Sequence, residues 1–170
     1  QNVYSSWGPQ LRALGLSNNR SICVSGGHIG DGNADPVDKF LSYNHSMISS
    51  MVARNVVPAV GGRDYTGLIV LDLERTAAPS KFAKYSASFL RQVVSAILLR
   101  VSVTREFFPR AKLAIYGTGV SDTAQLRAFE RAGALGLWGV LDYLIPSFYL
   151  ATHNITDSKG RKVKVAPNAS

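Results

Sequence analysis

A chain of 170 residues, 46% hydrophobic and 18% charged, is long enough to bury one core, and its composition excludes a disordered or fibrous chain. It falls short of the roughly 250 residues that a complete (β/α)₈ barrel usually needs. The formal charge of +8 favours contact with something anionic, whether nucleic acid, a lipid surface or an acidic polysaccharide, and charge alone does not choose among them.

Residues 21–25 form a short apolar run that stops at the loop GGHIGDGN, 26–33, too rich in glycine to continue as strand or helix. A helix start follows. Asp35 can cap, Pro36 suits the first helical position, and Asp38 complements the N-terminal dipole. Val37, Phe40, Leu41, Met47, Ile48, Met51 and Val52 recur at helical spacing up to Gly61-Gly62. LIVLDL, 68–73, is a continuous apolar run with the look of a parallel strand buried on both faces. Pro79 and Ser80 open a long helical segment with Phe82, Tyr85, Phe89, Val93, Ile97 and Val101 on one face, closed by Pro109. Its apolar run, 93–99, lies between Arg91 and Arg100 and is shorter than the about 18 residues of a membrane span, so it reads as a buried helix.

Residues 113–116 form a further short strand. Asp122 and Gln125 can make a capping box for a helix carrying Leu126, Phe129 and Ala132, which fades at Gly133 and Gly136. DYLIPSFYL, 142–150, reads as a strand bulged or edged at Pro146. The tail from Thr152 looks like loop, with Val163 and Val165 hinting at a hairpin. The order β, α, β, α, β, α, β argues for a parallel sheet with right-handed crossovers, either an open doubly wound sheet or part of a closed barrel.

Four of the eight asparagines open an N-x-Ser/Thr sequon: Asn19, Asn44, Asn154 and Asn168. Sequons mark surface loops of secreted chains, so the expected location is extracellular or the lumen of the secretory pathway, with any signal peptide removed or upstream. Asn44 is the weak member, because it falls on the apolar stripe of a predicted helix. The single Cys23 implies a buried thiol or a partner cysteine outside these residues.

Polar residues end the apolar strands: Asp72 and Glu74 in LIVLDLE, Tyr116 in LAIY, Tyr149 in IPSFY. That is the end where α/β folds assemble active sites. On a strand, Asp72 and Glu74 would leave the same face about 6 to 7 Å apart. Two carboxylates so close resist joint ionisation, so one holds a proton near neutral pH, as a glycosidic general acid must. The plainer reading has Asp72 bonding the next loop and Glu74 pairing with Arg75 or Lys81. His28, His45 and His153 lack metal-ligand spacing, and no phosphate cradle or Ser/His/Asp constellation stands out. No metal or cofactor is expected. Aromatic residues interleaved with a basic stripe are not seen, which argues against nucleic acid. Trp7 and Trp138 read as packing anchors.

YTGLIVLDLE, 65–74, resembles the hyaluronidase strand Y-x-G-L/V-x-V-I-D-x-E, and LIPSFYL, 144–150, is similar to that family's L-x-P-S-x-Y-L strand. The likeness covers about residues 60–151. It implies an incomplete (β/α) TIM-type barrel over residues 1–151, with 152–170 a basic loop or hairpin leading into the rest of the fold. It further implies that Glu74 protonates the glycosidic oxygen, while Asp72 orients the substrate's N-acetyl group, whose carbonyl oxygen is the internal nucleophile. Tyr149 would bond that acetamido group, Tyr116 would line the cleft, and Arg75 and Ser147 would contact substrate. The implied partner is a glycosaminoglycan-like or other N-acetylated polysaccharide, with a second polypeptide or further chain completing the barrel. The family's disulfide partners and last strands are not present here, which keeps open the alternative of a catalytically silent glycan-binding or structural module of an extracellular glycoprotein assembly.

Overall fold

The computed structural model describes residues 21–32, 36–116, 123–145, 153–156 and 162–165. Strands β1 (Ser21–Ser25), β2 (Leu68–Asp72), β3 (Lys112–Tyr116) and β4 (Tyr143–Ile145) form a parallel sheet in the order β1-β2-β3-β4. Ser25 pairs with Asp72, Leu71 with Ile115, and Tyr116 with Ile145. β5 (His153–Thr156) and β6 (Lys162–Val165) form a separate antiparallel pair, the hairpin at which the tail's valines hint.

Each parallel step needs a crossover, and helices fill all three. The first holds α1 (Val37–Ser42), α2 (His45–Met51), a π-helical stretch (Val52–Val56) and α3 (Val57–Val60), ended by Gly61 at φ 85°. The second holds α4 (Glu74–Ala77), α5 (Pro79–Phe82) and α6 (Ala87–Phe107). The third holds α7 (Thr123–Ala132), a π-helical stretch (Gly133–Leu137) and a 3₁₀ turn (Trp138–Val140).

Side chains alternate across a strand, and here the two faces differ. Val24, Ile69, Leu71, Leu113 and Ile115 share one core with Phe40, Ile48, Val93, Ile97 and Phe129 of the helices. On the other face Leu68, Val70 and Ala114 are buried with Tyr116, Tyr143 and Ile145 in a cluster drawn from strands alone. Among the described residues the helices therefore cover one face, and the strand order never reverses. A doubly wound sheet has helices on both faces and a reversal of strand order, and the described strands show neither, nor do they close on one another.

The structure corrects several local expectations. Residues 26–29 are not plain loop but a 3₁₀ turn, because Gly30 at φ 83° closes it with a bond from its N–H to the Gly26 carbonyl. Pro36 is the residue before α1, not its first turn; Asp35 lies outside the described residues. The first helical stretch is two helices. Tyr43 is extended (ψ 125°), and Asn44 caps α2 by accepting from Met47 N at 3.0 Å. The long segment from Pro79 is likewise broken, because Ser86 caps α6 by accepting from Phe89 N at 3.2 Å. Leu126, expected on the buried face of α7, is 45% exposed; Asp122 lies outside the described residues. Trp138 does anchor packing, edge-on to Phe129 with centroids 4.3 Å apart.

At 21 residues α6 is long and apolar enough to cross a membrane, more than the seven-residue run suggests. Its packing is that of a core helix: Leu90, Val93, Ile97 and Val101 are buried against the sheet's core, and Arg100 is buried with them.

Candidate active site

The carboxyl ends of β1, β2 and β3 bring together Ser25, Asp72 and Tyr116. Ser25 and Asp72 are register partners, and Tyr116 lies one place beyond the Leu71–Ile115 pair. By strand alternation all three share the face of Val70 and Ala114. Cys23, paired with Val70, is on that face one layer lower.

Glu74 departs from the expected geometry. β2 ends at Asp72, and Leu73, wholly buried, turns the backbone to φ −109°, ψ 27°, so that Glu74 opens α4. The two acids thus do not sit on one strand, and their separation is not set by the pleat. They remain electrostatic neighbours. Burial, then the charge of Asp72, raises the Glu74 carboxyl above its ordinary range. Burial, then Asp72, then Glu74 push the Cys23 thiol up to about 11. Cys23 is free, and although its thiol is desolvated the residue keeps an exposed surface, so the buried thiol expected as one alternative is only partly enclosed.

Of the plainer reading, the pairing of Glu74 with Arg75 or Lys81 is not seen, since neither Asp72 nor Glu74 has an ion pair among the described residues. Arg75 instead donates from Nη1 to the Gly32 carbonyl. The next residue, Thr76, donates from Oγ1 to Asp31 Oδ1 at 2.6 Å. Two consecutive side chains of α4 therefore tie the turn that carries Glu74 to the loop after β1. Arg75 serves that tie.

The loop fits closely against β2. A Cβ on Gly26 would stand 2.6 Å from the Asp31 carbonyl oxygen and 2.7 Å from that of Asp72, so only glycine lets the loop rest there. Arg100 holds the loop from behind, donating to the carbonyls of Ile29, Gly30 and Phe40.

Asp31 is a residue that sequence reasoning missed. Its side chain is buried, and Oδ2 has no hydrogen-bond partner among the described residues. Burial raises its pKa against the opposing pull of Thr76, Arg100 and Arg75. An acid beside a glycine in a loop gives no signal of this, because Thr76 and Arg100 lie far away in sequence.

Tyr149 and Ser147 lie outside the described residues, as do Asn19 and Asn168. Asn154 belongs to β5 and pairs with Lys164. Asn44 is exposed at its cap, not on an apolar stripe, which corrects the reason for ranking that sequon lowest. Among the described residues no group of three His, Cys, Asp or Glu side chains is placed to hold a metal. No family model, curated protein or solved structure matches the chain.

Proposed function

We propose that this chain is part of a (β/α) barrel glycoside hydrolase acting on N-acetylated, acidic glycans of the hyaluronan or chondroitin type. The observation that carries the reading is the placement of Asp72 and Glu74 at the carboxyl end of an interior parallel strand, each without an ion pair among the described residues. Helices on a single face and strands in sequential order support the barrel part, since closing such a sheet leaves the strand-only face inside. A second polypeptide or further chain supplies the remaining strands.

In this mechanism Glu74 donates its proton to the glycosidic oxygen as the bond to the leaving sugar breaks. The substrate's acetamido carbonyl oxygen attacks the anomeric carbon, and Asp72 orients and charge-stabilises that group. Glu74, now ionised, takes a proton from the water that opens the cyclic intermediate and restores the configuration. Tyr116 lines the cleft beside Asp72, and Tyr149 bonds the acetamido group. Secretion and glycosylation at Asn19, Asn44, Asn154 and Asn168 belong to the same reading.

The test is release of new reducing ends from hyaluronan or chondroitin, comparing the chain with its Glu74→Gln variant. Turnover by the wild type that is lost in the variant supports the mechanism. Equal turnover by both removes Glu74 from it. The silent alternative, a glycan-binding or structural module, draws on the Leu73 turn, which takes Glu74 off the strand. Glycan retention without any cleavage favours it.

A further inference from the structure

Outside the acid pair, the strongest unassigned feature is a cleft of about 550 Å³ lined by Ala83, Thr123, Ala124, Arg127 and Arg131. It lies where α5 packs against α7. α5 follows the carboxyl end of β2 and α7 follows that of β3, so Thr123 and Ala124, which open α7, belong to the end of the sheet that carries Asp72 and Glu74, and Arg127 and Arg131 extend the lining along the helix.

Its walls are cationic and small. Arg127 and Arg131 are four residues apart, hence on one face of α7, where like charges repel unless something anionic sits between them. Neither guanidinium has an ion pair among the described residues. Glu130, the only acid of α7, does not line the cleft. Thr123 places the positive end of the helix dipole at the same wall. Lys84, next to Ala83 in the chain, and Lys81 on α5 are exposed as well. Ala83 and Ala124 leave the floor open. Among the described residues no aromatic ring lines the space to stack nucleobases, while paired guanidinium forks match carboxylate and sulfate oxygens.

We propose that this cleft is a second subsite for the glycan, in which Arg127 and Arg131 hold a uronate carboxylate or sulfate of an acidic polysaccharide chain whose reacting bond lies at Asp72 and Glu74. The inference rests on the glycan reading of the acid pair and names the substrate's charge as what the cleft recognises.

The test measures binding to the full chain carrying Glu74→Gln, so that cleavage does not interfere, with hyaluronan and chondroitin sulfate oligosaccharides and a neutral chitooligosaccharide. Adding Arg127→Ala and Arg131→Ala should weaken the acidic ligands by about tenfold or more, flatten their salt dependence, and leave the neutral ligand unchanged. Arg127→Lys with Arg131→Lys should recover part of the loss, and Arg91→Ala, removing a charge from another helix, should cost little. Equal binding with and without the two arginines overturns the proposal, as does no binding of acidic glycan at all. Displacement by duplex DNA or inorganic phosphate at the concentration that displaces an acidic oligosaccharide also overturns it, by denying selection for the sugar chain. If the arginine dependence holds while Glu74→Gln leaves cleavage intact, the cleft survives and the catalytic assignment of Glu74 falls.

Discussion

The guanidinium carbon of Arg100 lies 3.6 Å above the ring of Phe40, inside a core to which the spacing of Phe40 points but the position of Arg100 does not. Its nitrogens donate to Ile29 at 2.8 Å, Ala96 at 2.8 Å, Gly30 at 3.1 Å and Phe40 at 3.0 Å. Burial draws its pKa down to about 10, with Asp31 and then Tyr43 opposing, and backbone carbonyls stand in for a carboxylate partner. Arg100→Met should therefore strand buried carbonyls and loosen the loop from α6. The expected cost is about 3 kcal/mol, the order for losing several buried hydrogen bonds at once. Urea unfolding of the variant against wild type measures it; a shift below about 0.5 kcal/mol, the level of an ordinary surface change, would reject the role.

That arginine shows why the sequence was only partly legible. Leu68–Asp72 could be read as a parallel strand because its burial on both faces makes the run continuously apolar. The helix breaks at Tyr43 and Ser86 were hidden because the apolar spacing runs straight through them, while the deciding signals are single caps by Asn44 and Ser86. At the site, the two-residue period of a strand was carried one turn too far: Asp72 obeys it, and Leu73 ends it. Arg100 read as the flank of an apolar run since its acceptors on Ile29, Gly30 and Phe40 lie 60 to 71 positions away.

Asp142 and Asp31 should give stability opposite pH dependences. Burial would raise Asp142, but hydrogen bonds from Arg105, Leu113 N and Lys112, with the charge of Arg105, hold it below the usual carboxylate range. Its contribution is present above the unfolded value of about 4 and is lost as pH falls through the lower folded pKa. Asp31 is raised, so its contribution is complete below the unfolded value and is lost as pH rises through the folded pKa. Denaturant midpoints across pH 2 to 8, a range of roughly two units below and four above an ordinary carboxyl, should fall less on acidification for Asp142→Asn than for wild type. Asp31→Asn should lose less stability than wild type as pH rises. Parallel curves for all three proteins would contradict both assignments.

Cys23 should react slowly with alkylating reagents despite its exposed surface, because the thiolate is the nucleophile and the thiol is pushed up to about 11. Iodoacetamide labelling should accelerate as pH climbs toward that value. Burial is the larger cause, so Asp72→Asn should speed labelling at neutral pH only in part. A rate at neutral pH equal to that of a free cysteine would show that the carboxylates do not reach the thiol.

The acid pair itself predicts how activity depends on pH. A general acid works while protonated, so if Glu74 has the proposed role, turnover should decline as pH rises through its pKa, which burial first and Asp72 second set above the ordinary glutamate range. Asp72→Asn removes the second cause and leaves the first. The high-pH limb of kcat against pH should then move to lower pH, toward but not reaching an exposed glutamate. In the proposed mechanism Asp72 also orients the acetamido group, so the same variant should lower kcat throughout the range. The limb position separates the two effects, since a purely orienting role lowers the curve without moving it. A lowered curve with its high-pH limb in place would mean that Asp72 does not tune Glu74, and a limb shifted to higher pH would show that the charge acts with the wrong sign.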